Sequence, residues 1–309
     1  MNLNTKFFAG RMTCLAGLFV GTCGVQSIDG YKIVQLANGV HSVHSLAHRE
    51  TFHPVVGPVA EAEALYVKQL RLAERLATHS DGFVIWDVGL GAAANVLTVL
   101  RAARDFPTPL RVISFDYTIE PLEFALRHAR ELGYFNEFES PVRELVAKHR
   151  VGFVNGDQMV RWELHLADFP QLIASASPGA FPAPHAILFD AFSPATNPAM
   201  WTQPLFADIF RQLDPACPCA LPTYSRSTML RVSLLLAGFF VGIGHATGEK
   251  EETTIAANSM NLLIEPLNCQ WLERARRSTS AEPLWEPKYR QTPLAPATWE
   301  KLRQHPQFM

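Results

Sequence analysis

The sequence has few cysteines, little net charge and no repeated or low-complexity segment. Its 309 residues include five cysteines, and their spacing does not match the paired spacing of zinc sites. We therefore expect reduced thiols and no bound metal. A net charge of −2 argues against nucleic-acid binding through overall charge alone, although a local basic patch is compatible with it. The remaining composition, 48% hydrophobic and 18% charged, is typical of a globular chain that buries a large core.

Residues 1–30 contain an apolar run that is too short to span a bilayer. The run TCLAGLFVGTCGV follows Lys6 and Arg11, an arrangement that also occurs in secretory signals. A dispensable extension ahead of a later functional start explains the same residues, and we favour that interpretation. We therefore expect a cytoplasmic protein that does not associate with a membrane.

Residues 31–80 predict a small amino-terminal segment made of a hairpin and a helix. Apolar and polar residues alternate on both sides of Asn38-Gly39, a dipeptide typical of tight hairpin turns. Apolar side chains then recur at helical spacing between residues 60 and 79, which predicts a single helix that ends before Ser80.

Strand and helix patterns alternate through residues 81–265, which predicts an α/β domain with a mostly parallel, Rossmann-like sheet. A polar stretch at about 134–160 interrupts this alternation, and we expect it to be helical. The last two strand patterns, FFVGIGH and ETTIAAN, follow each other directly and predict an antiparallel pair at a sheet edge. Residues 266–309 are expected to form a surface tail.

The segment DVGLGAAAN, residues 87–95, predicts a ligand-binding turn between a strand and a helix. Ligands of open α/β sheets bind beyond the carboxyl ends of the strands. Glycine allows the ligand to approach the backbone there, and the next helix offers unbonded N–H groups. Gly89, Gly91 and Ala94 match the dinucleotide pattern G-x-G-x-x-G/A, so an NAD-dependent oxidoreductase is one possibility. An S-adenosylmethionine-dependent enzyme is the other.

Acidic residues at three predicted strand ends favour S-adenosylmethionine. Asp87 suits the ammonium and sulfonium charges of that cofactor, whereas it would repel a pyrophosphate. Asp116 can accept hydrogen bonds from both ribose hydroxyls, and Asp168 can accept one from the adenine amino group. Each aspartate alone is also a common helix N-cap, but their joint placement favours a cofactor site.

The fourth predicted strand of the domain ends at Asp190, the predicted catalytic residue. An amine that attacks a methyl group has to be uncharged, and Asp190 could hold the amine and take its proton. Phe192 and Pro194 would form a rigid, partly apolar wall beside it. Phe192 and Tyr224 could also stack on a base that is flipped into the pocket. A turn-capping role for Asp190 is the alternative.

These motifs resemble the methyltransferase domain of the bacterial tRNA-modifying MnmC family and its single-domain relatives. The resemblance runs through residues 31–260 and is most specific in the segment DAFSPATNPAMWTQPLFADIFR. It implies that the protein uses S-adenosylmethionine to methylate an aminomethyl nitrogen on the wobble uridine of tRNA. It also implies that Glu61 lies near the methionine end of the cofactor. The predicted cofactor-binding residues are Glu61, Asp87, Gly89, Leu90, Gly91, Asn95, Asp116 and Asp168.

The sequence departs from the family pattern at two small residues and in its extent. Ala93 replaces the third glycine of the turn, which would be a tolerable loss if the backbone there has a negative φ. Ala191 replaces the glycine after Asp190. Both changes leave open a catalytically inactive RNA-binding module. The flavin-dependent oxidase domain of the two-domain enzyme is also missing, which implies a separate oxidase acting on the same nucleotide.

Overall fold

An eight-stranded mixed sheet and a three-stranded antiparallel sheet form the framework of the protein in a computed structural model, which describes residues 30–248 and 251–309. The predicted amino-terminal extension therefore lies outside the described residues, except for Gly30. No helix in the two described ranges has the length and apolar composition needed to cross a membrane.

The amino-terminal hairpin is confirmed. Strands β1 (Tyr31–Gln35) and β2 (His41–Ser45) pair antiparallel around the Asn38-Gly39 turn, where Gly39 has a φ of 84°. A short strand, β3 (Glu50–Thr51), continues this sheet on the other side of β2. Residues 52–57 follow this small sheet and lead toward the main sheet.

The prediction of a single helix at 60–79 is wrong in one respect, because three separate helical segments take its place. These are α1 (Pro58–Ala62), a π-helical turn (Glu63–Lys68) and α2 (Leu72–Ala77). Arg71 adopts a left-handed conformation with a φ of 50°, which an uninterrupted helix cannot contain. The hydrophobic pattern identified the buried face but not this break.

The main sheet is parallel in its centre and antiparallel at both edges, with the order β10-β11-β9-β8-β4-β5-β7-β6. The prediction of a Rossmann-like sheet with an antiparallel edge is confirmed, and a second antiparallel edge is added. The eight strands are β4 (Phe83–Val88), β5 (Leu110–Asp116), β6 (Arg150–Asn155), β7 (Gln158–Leu166), β8 (Ala186–Phe189), β9 (Ala220–Thr223), β10 (Phe240–Gly244) and β11 (Thr253–Ala257).

Successive residues of the central strands pack into two separate cores because strand side chains alternate between faces. Ile85 of β4 packs in one core, while its neighbour Trp86 packs in the other. Helices cover both faces, as parallel sheets require. They are α3 (Ala94–Ala103), α4 (Glu120–Arg127), α5 (Ala129–Leu132), α6 (Glu139–Lys148), α7 (Phe169–Ser175), α8 (Gln203–Arg211) and α9 (Thr228–Ala237).

The stretch at 134–160 is helical only in its first half. Helix α6 fits the prediction, but β6 then pairs antiparallel with β7, and Asn155 pairs with Gln158 across the turn. Gly156 in that turn has a φ of 63°, which glycine adopts readily. Because Asn155 pairs with Gln158, the two turn residues are Gly156 and Asp157, a dipeptide that is typical of two-residue hairpins. The sequence therefore contained a signal for this hairpin that its polar surroundings obscured.

The carboxy-terminal segment packs more closely than a surface tail. It contains α10 (Cys269–Arg277) and α11 (Pro296–Leu302). Trp271 and Leu272 of α10 and Leu302 of α11 are buried in the same core as Trp86. The segment therefore contributes to the main hydrophobic core.

Candidate functional site

A cavity of about 770 Å³ opens at the carboxyl ends of β4, β5, β7 and β8, within the usual size range of small-molecule sites. The chain order of the sheet reverses between β4 and β8, which is where ligands of open α/β sheets bind. Most of the predicted site residues line this cavity. They are Glu61, Gly89, Leu90, Gly91, Asn95, Asp116, Asp168, Asp190, Phe192 and Tyr224.

The glycine turn brings the backbone of β4 close to the loop after β8. Gly89 has a φ of 93°, and a Cβ atom there would lie 2.7 Å from the carbonyl oxygen of Asp190. Gly91 has a φ of 51°, and a Cβ atom there would contact the ring of Phe52. Glycine at these two positions therefore keeps the turn and the opposite wall in contact.

The condition that would make Ala93 a tolerable replacement, a negative φ, is not met, because this residue has a φ of 62° and a ψ of 10°. The left-handed conformation costs an alanine about 1–2 kcal/mol. Ala93 is fully buried immediately before α3, and Leu97 donates its backbone N–H to the Ala93 carbonyl. The turn thus keeps its shape with an alanine at some cost in stability. Ala191, in contrast, has no positive φ.

Asp116 organises the glycine turn from the end of β5. Its Oδ2 accepts the N–H of Gly91 at 2.9 Å, and its Oδ1 accepts the N–H groups of Tyr117 and Thr118. Burial raises the pKa of Asp116, although these three N–H groups favour the charged form. Because a carboxylate has about four acceptor positions, at least one remains for a ligand hydroxyl.

Asp168 serves as the N-cap of α7, because its Oδ1 accepts the N–H of Gln171 at 3.0 Å. The residue also lines the cavity, and its second oxygen can still accept a hydrogen bond. The capping role that we considered for a single aspartate is therefore present, together with the position expected of an adenine-side residue.

Asp87 and Pro194 do not line the cavity. Asp87 is buried below the turn, where the hydroxyl of Ser114 donates to its Oδ2 at 2.7 Å and in turn accepts the indole N–H of Trp162. Burial raises the pKa of Asp87 to about 8, against the effect of the Ser114 hydrogen bond. Among the described residues, its buried Oδ1 has no hydrogen-bond partner. A direct contact between Asp87 and a cofactor stays a prediction.

Asp190 belongs to a buried polar cluster that the sequence did not reveal. Asn95 donates from Nδ2 to Asp190 Oδ2 at 2.7 Å, and His53 Nε2 lies 3.5 Å from the same oxygen. The other nitrogen of the ring, His53 Nδ1, lies 3.2 Å from Glu61 Oε1. The cluster therefore joins the loop before α1, the start of α3 and the end of β8.

The two carboxylates of this cluster favour the positively charged form of His53. Burial alone lowers the pKa of His53, but the charge of Asp190 and the hydrogen bond and charge of Glu61 outweigh burial and raise the pKa to about 9. Ligand atoms of His53, Glu61 and Asp190 lie within 4.8 Å of one another, a spacing that could also hold a metal ion. In the described structure, the imidazole ring itself joins the two carboxylates.

Glu50 of β3 attaches the amino-terminal sheet to the loop after β8. Its carboxylate accepts hydrogen bonds from the hydroxyls of Ser193 and Thr196 and from the N–H of Ser193. Burial raises the pKa of Glu50, but the hydrogen bonds outweigh it and the net shift is downward. This contact holds the loop that carries Phe192 against the cavity.

Aromatic side chains form the wall beside Asp190. His48 stacks on Phe192 with ring centroids 4.3 Å apart, and Phe52 meets Phe192 edge to face at 5.5 Å. Tyr224 donates its hydroxyl to the carbonyl of Ala191. Tyr117, on the opposite rim, is 79% exposed and lines the cavity. A base that stacks on Phe192 needs the ring face that His48 leaves uncovered.

Sequence reasoning missed His48, Glu50, Phe52, His53 and Tyr117. All but Tyr117 lie in HRETFH, just before α1. Its two histidines and one glutamate indicated polar chemistry, but no periodic pattern connected them to a strand end. Tyr117 directly follows Asp116, so its position at the end of a parallel strand was a usable signal.

Residues 138–259 match the family described as S-adenosyl-L-methionine-dependent methyltransferase. The bifunctional protein MnmC of Aeromonas hydrophila, named for tRNA 5-methylaminomethyl-2-thiouridine biosynthesis, is 31% identical over 206 residues. That alignment covers 63% of this chain and 30% of the relative. The protein of the same name from Pseudoalteromonas atlantica is 26% identical over 254 residues, or 76% of this chain and 35% of the relative. The chain thus spans about a third of the length of these curated relatives.

The crystal structure of MnmC2 from Aquifex aeolicus has the same fold, with a TM-score of 0.65 at 22% identity over 90% of this chain and 84% of the other. These comparisons favour S-adenosylmethionine over a dinucleotide as the cofactor, so the oxidoreductase alternative is not supported. Residues 138–259 thus match an S-adenosyl-L-methionine-dependent methyltransferase family, and the chain is similar in sequence to a part of the MnmC proteins and in fold to MnmC2.

Proposed function

We propose that this protein methylates the exocyclic aminomethyl nitrogen on a wobble uridine of tRNA. One observation supports this reaction most strongly. An acidic side chain, Asp190, lies in the same cavity as the glycine turn and is held there by Asn95 and His53. An anionic group next to a methyl donor suits an acceptor that binds as an amine and releases a proton. The curated relatives are named for the biosynthesis of a tRNA nucleoside of this kind, which also supports the proposal.

The cavity residues fit S-adenosylmethionine. The glycine turn leaves its backbone accessible, and Asp116 retains acceptor capacity for a ribose hydroxyl. Asp168 would accept from the adenine amino group, and Glu61 would lie near the ammonium of the methionine end. Asn95 is 3% exposed and its Oδ1 has no partner among the described residues, so it can accept from the same ammonium. When bound, the cofactor would supply the methyl group of its sulfonium centre, and the rest of the molecule would leave as a neutral thioether.

Asp190 would orient the acceptor nitrogen and receive its proton. With its lone pair directed by Asp190, the acceptor nitrogen would take the methyl group that the cofactor supplies, and the neutral thioether would be the leaving group. The methylated nitrogen then carries one proton too many, and it loses that proton to Asp190 or to water. Phe192 and Tyr224 would hold the uracil ring and exclude water from the reacting atoms.

Three parts of the proposal concern the surroundings of the enzyme. Its macromolecular substrate would be tRNA, and the reaction would take place in the cytoplasm. A separate flavin-dependent oxidase acting on the same nucleotide would supply the aminomethyl group that this reaction methylates.

Incubation with radiolabelled S-adenosylmethionine and bulk tRNA tests the proposal. We expect label in tRNA and, after digestion, a methylaminomethyl-uridine nucleoside in the mass spectrum. The matched substrate control is the same tRNA with its primary amines acetylated, which should accept no label. Methylation on a ring carbon or a ribose oxygen would contradict the amine acceptor. Binding of S-adenosylhomocysteine without turnover on aminomethylated tRNA would indicate an inactive RNA-binding module instead.

A further inference from the structure

We propose that His53 is a positioning residue for methyl transfer, and that its doubly protonated ring joins Glu61 to Asp190 and holds the Asp190 carboxylate toward the acceptor. The proposal deepens the proposed function, because it takes Asp190 as the group that meets the acceptor amine. The distances on both sides of the ring carry it, 3.2 Å from Nδ1 to Glu61 Oε1 and 3.5 Å from Nε2 to Asp190 Oδ2.

The protonation of the ring follows from its two neighbours. A neutral imidazole has one N–H, whereas an imidazolium has two. Both nitrogens of His53 face carboxylate oxygens, which only accept hydrogen bonds when they are ionised. The side chains of His53 and Glu61 are each 8% exposed and that of Asp190 is 14% exposed, so water cannot easily replace a missing donor. The doubly protonated form is therefore the one that satisfies both carboxylates.

The charges around His53 are mostly negative. The titratable groups that act directly on His53 are the carboxylates of Asp190 and Glu61. The charges of these carboxylates also reach the hydroxyls of Tyr66 and Tyr224, and that of Asp190 reaches Asp87. Arg49 is the one Lys or Arg among the described residues that line the cavity. Without a cation between them, two carboxylates this close would repel, and one would tend to take up a proton. His53 allows both Glu61 and Asp190 to remain ionised.

The backbone of His53 is also held in an unusual conformation. Its φ of 48° is left-handed, a conformation that is unfavourable for a residue other than glycine. The adjacent residue, Phe52, is fixed on the amino-terminal sheet, because its N–H donates to the Val43 carbonyl and its carbonyl accepts from the Ser42 hydroxyl. The small sheet therefore sets where the imidazole enters the cavity.

The proposal predicts a bell-shaped pH dependence. The rate should rise with pH as the acceptor amine loses its proton, and it should fall above about pH 9 as His53 becomes neutral. A neutral ring can donate to only one of the two carboxylates, so Asp190 or Glu61 loses its partner. The fall at high pH is the signature of His53, since Asp190 alone would not produce it.

His53→Gln tests this role, because glutamine can donate a hydrogen bond but does not titrate. We expect kcat to fall by at least about 10-fold, the KM for S-adenosylmethionine to change by less than about 3-fold, and the decline above pH 9 to disappear. His44→Gln is the matched control, since His44 bonds to Thr51 in the same small sheet and does not line the cavity. It should retain the wild-type rate and pH profile. Unchanged kcat in folded His53→Gln would overturn the proposal.

Nuclear magnetic resonance of the imidazole in the wild-type protein, with S-adenosylhomocysteine bound, needs no acceptor. We expect His53 to titrate well above its ordinary range, and Glu61→Gln to lower its pKa by at least about one unit. Titration of wild-type His53 near 6.5 would overturn the proposal even if the variants do not fold. A high pKa together with no turnover on tRNA would contradict the tRNA substrate and leave the role of His53 intact.

Discussion

The glycine-turn side of the cavity, formed by residues 87–95 and Asp116, is built from a short stretch of chain, whereas the Asp190 side combines distant segments. The first side is formed by backbone N–H groups and by glycines with positive φ. The hydrogen bond from the Gly91 N–H to Asp116 links two neighbouring strands there. On the second side, buried side chains from His53, Glu61 and Asn95 converge on one loop. Substitutions that add a side chain are therefore poorly tolerated in the glycine turn. The network around Asp190 depends instead on the balance between its charged side chains.

Gly89→Ala should have the largest effect because it damages both sides. A Cβ atom would meet the Asp190 carbonyl at 2.7 Å in a residue that already has a positive φ. We expect methyl transfer to fall by about 10²-fold or more, since displacements of about 1 Å can have that effect. Gly39→Ala is the matched control, because Gly39 has a φ of 84° and open space around its Cβ position. Equal loss of activity in both variants would show that backbone strain, and not the contact with Asp190, matters.

Asp190→Ala should lower the rate of methyl transfer without weakening cofactor binding. We expect kcat to fall by about 10²-fold while the affinity for S-adenosylhomocysteine, measured by calorimetry, stays within a few-fold of wild type. Asp105→Ala, at a side chain that is 89% exposed, controls for the loss of a carboxylate. If cofactor affinity falls together with the rate, Asp190 belongs to the cofactor site and the acceptor-side group lies elsewhere.

Asp116→Ala should weaken cofactor binding more than it lowers kcat. Its carboxylate supports Gly91 and retains acceptor capacity, so its loss removes charge-assisted hydrogen bonds of roughly 1.5–3 kcal/mol. We expect cofactor affinity to fall by about one to two decades, with a smaller change in kcat at saturating cofactor. Unaltered affinity in a folded variant would refute the ribose role, and Asp116→Asn should lie between the two.

Asp87 should make the stability of the protein depend on pH. Its pKa of about 8 in the folded state lies above its ordinary value of 3.8, so folding favours the protonated form. The free energy of unfolding should therefore fall as pH rises from about 4 to 8, by on the order of 1–3 kcal/mol between pH 5 and pH 7. Asp87→Asn should remove most of that fall in urea titrations at the two pH values. The same slope in both proteins would mean that Asp87 ionises normally.

Ala93→Gly should have the smallest effect. Glycine relieves a left-handed conformation worth about 1–2 kcal/mol. It also removes a buried methyl group worth about 0.8 kcal/mol and adds freedom to the unfolded chain. We expect the free energy of unfolding to change by less than about 1 kcal/mol, with activity unchanged. A larger destabilisation would show that the methyl group of Ala93 packs in a way that the turn requires.

The glycine-turn side was predictable from the sequence because its signals are local. Gly89, Gly91 and Asp116 each follow a strand pattern directly, and parallel strands bring their carboxyl ends together. The hairpin at Asn38-Gly39 was predictable for the same reason. The break at Arg71 was not, since helical spacing of apolar residues says nothing about a single backbone angle.

The Asp190 side was predictable only in part. Asp190 itself ends a strand, but His53 and Glu50 reach it from a segment without a periodic pattern. Their contacts depend on how the small sheet sits against the loop after β8, which is a long-range property of the fold. The packing of Trp271 into the main core depends on tertiary contacts in the same way.

The hydrogen bonds between Glu50 and Ser193 also set an order of assembly during synthesis. The two residues are 143 positions apart, so at roughly 5–20 residues per second a ribosome needs roughly 7–30 s to add the second partner after the first. The strands around the glycine turn can pair during that interval, whereas the wall beside Asp190 cannot close. A nascent chain could thus hold the shape that recognises the cofactor well before it can position a methyl acceptor.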